Sequence, residues 1–164
     1  MSTASTAAAE TKHETIDQRI LREAYGPGAW HGADLKAALA DVSNDMAFRR
    51  PGPARHNVAE IAVHHAYCVH NVRTKLSGVD AGRFLLEGDD WFELPDASRL
   101  SWAAILDLVA REQEQLETVV AEIGAGRSPS PLQDSERIDL VLGITCHAIY
   151  HAGQVQLIKK LLGA

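Results

Sequence analysis

The chain has almost no cysteine, few aromatic residues, no excess of positive charge and no long apolar run. Its two cysteines, Cys68 and Cys146, lie far apart with no metal or redox spacing, which excludes a disulfide framework and a cysteine-rich zinc module. Lysine and arginine number 16 against 22 acidic residues, a formal net charge of −6. Without a basic stripe to offset that balance, general nucleic-acid binding is excluded. No apolar stretch approaches the roughly 20 residues of a membrane-spanning helix. Residues 1–10 are rich in Ser, Thr and Ala and lack the basic and apolar regions of an export signal. The expectation is therefore a cytoplasmic protein with reduced thiols and neither a membrane nor a nucleic-acid partner. Both cysteines fall within helical segments, where packing is the ordinary role of a free thiol.

No alternating strand pattern occurs anywhere, and no repeat of solenoid period is present. What is present is helical periodicity. A first segment over about 14–25 carries Ile16, Ile20 and Leu21 on one side and ends at Gly26-Pro27-Gly28. A second, over about 33–42, carries Leu35, Leu39 and Val42; the two can form one kinked arm. After the break at Arg50-Pro51-Gly52-Pro53, Asn57 and Glu60 have the spacing of a capping box. The helix they open runs to Ser77, with Val58, Ile61, His65, Val69, Val72 and Leu76 along one seam. Residues 79–100 have no sustained period, and a connection of that length is usually functional or mobile. Trp91 and Phe92 within it are candidates for a lid or a dimer contact. Two more helices follow, over about 101–123 and 135–162. Residues 1–13 are expected to be a disordered tail. Residues 14–164 form a single all-α domain, a bundle of four main helices.

Two histidines, His147 and His151, sit one turn apart on the apolar stripe of the last helix, with Leu140, Ile144 and Ile158. Side chains at i and i+4 share a face, so both imidazoles point toward the core. With eight histidines in the chain, that spacing alone is a weak signal. A third, His65, occupies the seam of another long helix, whereas His64 is in step with the more polar Glu60 and Asn71 and fits a boundary role. Two readings follow: a three-nitrogen metal site built from facing helices, or three hydrogen-bonded core histidines. Three neutral imidazoles leave an ion's charge uncompensated, which favours an anionic fourth ligand such as hydroxide, carboxylate or thiolate. Position 148 is Ala, so the glutamate of a zinc-protease motif is missing. His31 can line a pocket mouth or simply hold a turn. Glu112 interrupts an apolar stripe and reads best as a solvated edge.

The run His147-Ala148-Ile149-Tyr150-His151-Ala152-Gly153-Gln154, with the upstream Glu60-Ile61-Ala62-Val63-His64-His65-Ala66-Tyr67, resembles the DinB-like (YfiT-like) metalloenzymes. Ala29-Trp30-His31-Gly32 and Arg50-Pro51-Gly52-Pro53-Ala54-Arg55-His56 are similar to the same superfamily, so the resemblance covers nearly all of about 17–162. It implies a four-helix bundle of DinB/YfiT-like type with an extra short N-terminal helix. It also implies a homodimer and a divalent metal, zinc or nickel with iron as a further option, held by a histidine triad. Carried onto this chain, the triad is His65, His147 and His151, with Gln154 as a supporting residue. The function so implied is a metal-dependent enzyme acting on a small molecule. The chemistry is either S-transfer or isomerisation with a low-molecular-weight thiol, or hydrolysis. The alternative is a non-catalytic, metal-stabilised bundle that binds a small ligand or a partner. No catalytic residue is identified.

Overall fold

The computed structural model describes residues 14–163, so the expected tail over 1–13 lies outside the described residues. Six helices follow one another: α1 (Ile16–Tyr25), α2 (Leu35–Ala40), α3 (Asn44–Phe48), α4 (Val58–Ser77), α5 (Trp102–Gly124) and α6 (Asp134–Leu161). No strand occurs among the described residues. Helices α1, α4, α5 and α6 form the bundle, α4 packing on both α5 and α6, and α1 on α6 and α5. The first two segments are separate helices, α1 and α2, rather than one kinked arm, and a further short helix, α3, follows them. Asp34 accepts from the Ala37 amide at 2.9 Å to open α2, and Ser43 accepts from Met46 at 3.2 Å to open α3. Each cap residue is itself extended, so the chain turns before each helix.

The long helices begin and end where their local chemistry requires. Asn57 and Glu60 form the expected capping box on α4, and Ser101 accepts from the Ala104 amide to start α5. Gly78 ends α4 with φ +66°, and a Cβ there would stand 2.9 Å from the Pro131 side chain. Both the left-handed turn and the close approach of the α5–α6 connection therefore demand glycine.

The core has two apolar parts. One includes Ala59, Ala62, Ala66, Ile105, Leu108, Ala148, Ala152 and Val155; the other includes Leu21, Val69, Leu76, Leu116, Val141 and Ile144. Along α4 and α6, His64, His65 and His151 fall among residues of the first part, and His147 falls between Ile144 of the second and Ala148 of the first. The alanines at 62, 66, 148 and 152 flank them, and their small volume leaves room for imidazole rings between helices. Among the described residues no helix is long and apolar enough to cross a membrane.

The connection from α4 to α5 is fastened to the bundle. Phe92 and Leu94 are buried. The Leu94 amide donates to Glu60 Oε1 at 3.1 Å, and its carbonyl accepts from Asn57 Nδ2 at 2.8 Å. Glu60, itself buried, also accepts from both Arg50 guanidinium nitrogens and contacts His56 Nδ1 at 3.0 Å. One carboxylate thus joins the segment before α4, the start of α4 and the long connection.

Candidate metal centre

Helices α4 and α6 bring four imidazoles together. His147 Nε2 stands 3.0 Å from His64 Nε2 and 3.0 Å from His151 Nε2. On the other edge of the same ring, His147 Nδ1 lies 3.2 Å from His65 Nδ1. The structure thus places His147 and His151 side by side, as their spacing requires, and both neighbours on α4 beside them. It is His64 whose Nε2 joins the Nε2 atoms of the α6 pair, while His65 meets His147 from behind. The sequence seam put His65 inward and His64 at a boundary. His64 is in fact buried, because the α4–α5 connection covers the second face of α4. A helix buried on two sides no longer reveals its inward residues by a single stripe.

The far nitrogen of each converging ring has an acceptor. His64 Nδ1 lies 2.8 Å from the Asp90 carbonyl and 3.2 Å from the Asp90 carboxylate. His151 Nδ1 lies 2.6 Å from Gln154 Oε1, and Gln154 in turn donates to the Tyr150 hydroxyl at 3.0 Å. A carbonyl or amide oxygen can only accept, so Nδ1 of both rings carries the proton and Nε2 presents a lone pair. Asp90 holds its carbonyl there with φ +61°, a left-handed conformation uncommon outside glycine, asparagine and aspartate. His65 Nε2 is fully buried with no hydrogen-bond partner. His65 therefore spends its single good contact on His147.

Burial keeps His65, His147 and His151 neutral. It is the leading cause that pushes His147 down to about 4, with His151 and His64 adding to the effect. Burial likewise pushes His151 down to about 4, partly opposed by the Gln154 contact. His65 is held well below its ordinary range by burial first and by the other three histidines next. Near neutral pH they present lone pairs rather than positive charge, the form in which imidazole binds metal.

Cys68, one turn beyond His64 on α4, adds sulfur to the cluster. Its Sγ lies 3.9 Å from His64 Nε2. Ligand atoms of His64, Cys68 and His147 all fall within 4.8 Å of one another. Burial, with the Asp90 carboxylate behind it, pushes the free thiol up to about 11. Core packing was the ordinary expectation for both cysteines. Cys68 does pack against the second core part while its sulfur also reaches this cluster, whereas Cys146 is exposed on α6. The signal available in the sequence was the i, i+4 pair His64 and Cys68, which puts thiol and imidazole on one face.

Trp91 closes the outer side. Its indole lies between two imidazoles, stacked on His64 at 3.9 Å and on His56 at 3.8 Å between ring centroids. A cleft of about 270 Å³ beside it is bounded by Arg50, His56, Glu60 and Phe92. A larger cleft of about 500 Å³, lined by Arg22, Tyr25, Gln113 and Glu117, lies elsewhere and contains none of the clustered histidines. Chemistry rather than volume therefore locates the site. The remaining candidates have other duties. His31 is exposed, its Nε2 2.8 Å from the Glu23 carbonyl, which ties the turn to α1. Glu112 is not a solvated edge. It is buried between α4 and α5, 3.0 Å from Arg73 and 3.4 Å from His70.

An all-helical bundle with a buried cluster of imidazoles and a thiol, able to hold a divalent metal, defines the class of protein. The family model of the DinB superfamily matches residues 29–155, and the chain belongs to that superfamily. Searches of curated proteins and of solved structures return no match.

Proposed function

We propose that the chain is a metal-dependent enzyme acting on a small molecule, with the ion held by Nε2 of His64, His147 and His151. The observation that carries this reading is that His147 Nε2 stands 3.0 Å from the Nε2 atoms of both His64 and His151, with those two rings held through Nδ1 by Asp90 and Gln154. Without an ion, the one proton His147 can place on Nε2 is shared between two acceptors. With a divalent cation bound, Nε2 of His64, His147 and His151 would each offer a lone pair, and the His147 Nδ1 proton would face His65. Tetrahedral metal–nitrogen bonds of about 2.1 Å separate ligand nitrogens by about 3.4 Å, a few tenths of an ångström more than the observed 3.0 Å spacings and within reach of small ring rotations. Of the two possible triads, this geometry supports His64 over His65 as the α4 ligand, with His65 supporting His147 from behind.

Three imidazoles suit zinc, nickel or iron. When bound, such an ion supplies Lewis acidity that lowers the pKa of a thiol or a water molecule. S-transfer or isomerisation with a low-molecular-weight thiol and hydrolysis are the two reactions this serves. The chain's own part is to keep the imidazoles neutral, orient them through their Nδ1 partners and exclude bulk water with Trp91. A cytoplasmic location rests on two unpaired cysteines. A homodimer is supported by α6, whose outer face exposes Ile138, Leu142, Tyr150, Leu157 and Leu161 in one stripe. Gly143 and Gly153 on the same helix leave open space for a second backbone to approach.

The second reading is a non-catalytic, metal-stabilised bundle, favoured by the cover that Trp91 makes over His64. Assays of zinc- and nickel-loaded protein for transfer of small thiols to electrophiles, and for ester and amide hydrolysis, separate the two. The enzyme reading expects turnover that chelation abolishes and metal restores. Metal bound at full occupancy with no metal-dependent turnover returns the protein to the second reading.

A further inference from the structure

We infer that Cys68 is the fourth protein ligand of this centre, so that in the resting state the chain's own thiolate closes the coordination shell. The inference rests on the histidine-held ion proposed above and goes beyond it by naming what occupies the remaining position.

Three observations carry it. First, Cys68 follows His64 by four residues on α4, which puts both on one helix face. The recorded polar neighbour of its sulfur is His64 Nε2, the same nitrogen that faces His147. Second, the sulfur lies near two of the ligand nitrogens, the ligand atoms of His64, Cys68 and His147 all falling within 4.8 Å of one another. A tetrahedral ion with bonds of about 2.1 Å to nitrogen and 2.3 Å to sulfur separates the two ligand atoms by about 3.6 Å. The observed separation is 3.9 Å, and a small torsional adjustment of the half-buried Cys68 side chain closes the difference. Third, the charge favours it. Three neutral imidazoles leave a divalent ion without an anionic ligand. The nearby carboxylate of Asp90 meets His64 on Nδ1, the edge turned away from the other two nitrogens. Cys68 is the group on the Nε2 side able to supply negative charge. The alternative thiol is excluded by position, since Cys146 is exposed on α6.

Ligation proceeds without redox chemistry. The S–H proton leaves to solvent and a metal–sulfur bond forms in its place. A soft thiolate among imidazoles biases the site toward zinc over magnesium or calcium. An anionic substrate group must then displace the Cys68 sulfur or add beside it. The resting site is thereby protected from indiscriminate binding of small anions.

The test is cobalt substitution of the full-length protein, because a cobalt–thiolate bond has a near-ultraviolet charge-transfer band that nitrogen and oxygen ligands lack. Cobalt(II) is added to metal-free wild type, Cys146→Ser and Cys68→Ser, and spectra are read at matched bound metal. The expected result is the charge-transfer band in wild type and Cys146→Ser, and its complete loss in Cys68→Ser with the visible d–d bands of bound cobalt retained. Cobalt bound to wild type without the charge-transfer band overturns the role of Cys68 and leaves the histidine site standing. A band lost in Cys146→Ser also overturns it. Failure of wild type to take up cobalt overturns both the ligand role and the metal reading beneath it. Should Cys68→Ser fail to fold, the wild-type and Cys146→Ser spectra still decide the question, since the chain contains only these two cysteines.

Discussion

His65 Nδ1 lies 3.2 Å from His147 Nδ1, while the opposite nitrogen of His147 faces His64 and His151. The two adjacent histidines of α4 therefore grip one imidazole from its two edges. If a metal sits on the Nε2 side, the rings have unequal parts, one binding and one orienting. Replacing an orienting partner usually lowers metal affinity by roughly 10- to 100-fold without abolishing it. His65→Ala and Gln154→Ala are each expected to weaken zinc by about that factor while preserving its stoichiometry. Competition titration against a chelating dye measures this. Complete loss of binding in His65→Ala with the fold intact would make His65 a ligand and reverse the assignment.

Glu60 is a structural joint. Its buried carboxylate serves Arg50, His56 and the amides of Asn57 and Leu94. Glu60→Ala leaves the Leu94 and Asn57 amides unpaired and Arg50 without its partner. Leaving the two buried amides without an acceptor costs about 1–3 kcal/mol each, which for a domain of this size lowers Tm by roughly 10 °C. Thermal unfolding followed by circular dichroism reports it. A change within a degree or two would mean that this joint contributes little.

Acid should destabilise the metal-free protein. In the unfolded chain histidine titrates near 6.5, whereas His147 and His151 are pushed down to about 4 in the fold and His65 is also lowered. Between those values the unfolded state binds more protons than the native state, so stability rises with pH across that window. The urea midpoint of metal-free protein is expected to be level above about pH 7 and to fall progressively as pH drops from about 6.5 toward 4. A level midpoint across that interval would contradict neutral, buried imidazoles.

The stripe on α6 predicts an oligomer. Leu142 and Leu157 are about half exposed on its outer face, and the double variant Leu142→Arg, Leu157→Arg places charge in the middle of any two-fold contact there. Sedimentation velocity is expected to give a dimer for wild type and a monomer for the variant, both folded. A wild-type monomer at micromolar concentration would remove the dimer from the account.

Much of this architecture was legible in the sequence because its signals are local. The Asn57–Glu60 box, Gly78 and the breaks at Pro51 and Gly124 mark helix ends through groups a few residues apart. His147 and His151 could be paired for the same reason. The choice between His64 and His65 was not local. It depends on the α4–α5 connection, where Asp90 reaches back across 26 residues to hold His64 and Trp91 stacks on its ring. No periodicity along α4 contains that information. Cys68 packs as a free cysteine in a helix ordinarily does, and its further place beside the histidines shows only once His64 is placed. Glu112 was misread for a similar reason. Its partners Arg73 and His70 come from α4, so a buried ion pair could not be seen from α5 alone.

The central claim is that His64, His147 and His151 hold one divalent ion. Elemental analysis of untagged protein, after exposure to zinc and nickel and removal of loosely bound metal, tests it most directly. The account predicts about one equivalent per chain in wild type, and none retained by His64→Ala or His151→Ala that remain folded. Wild type without metal, or His64→Ala with its metal undiminished, would contradict it.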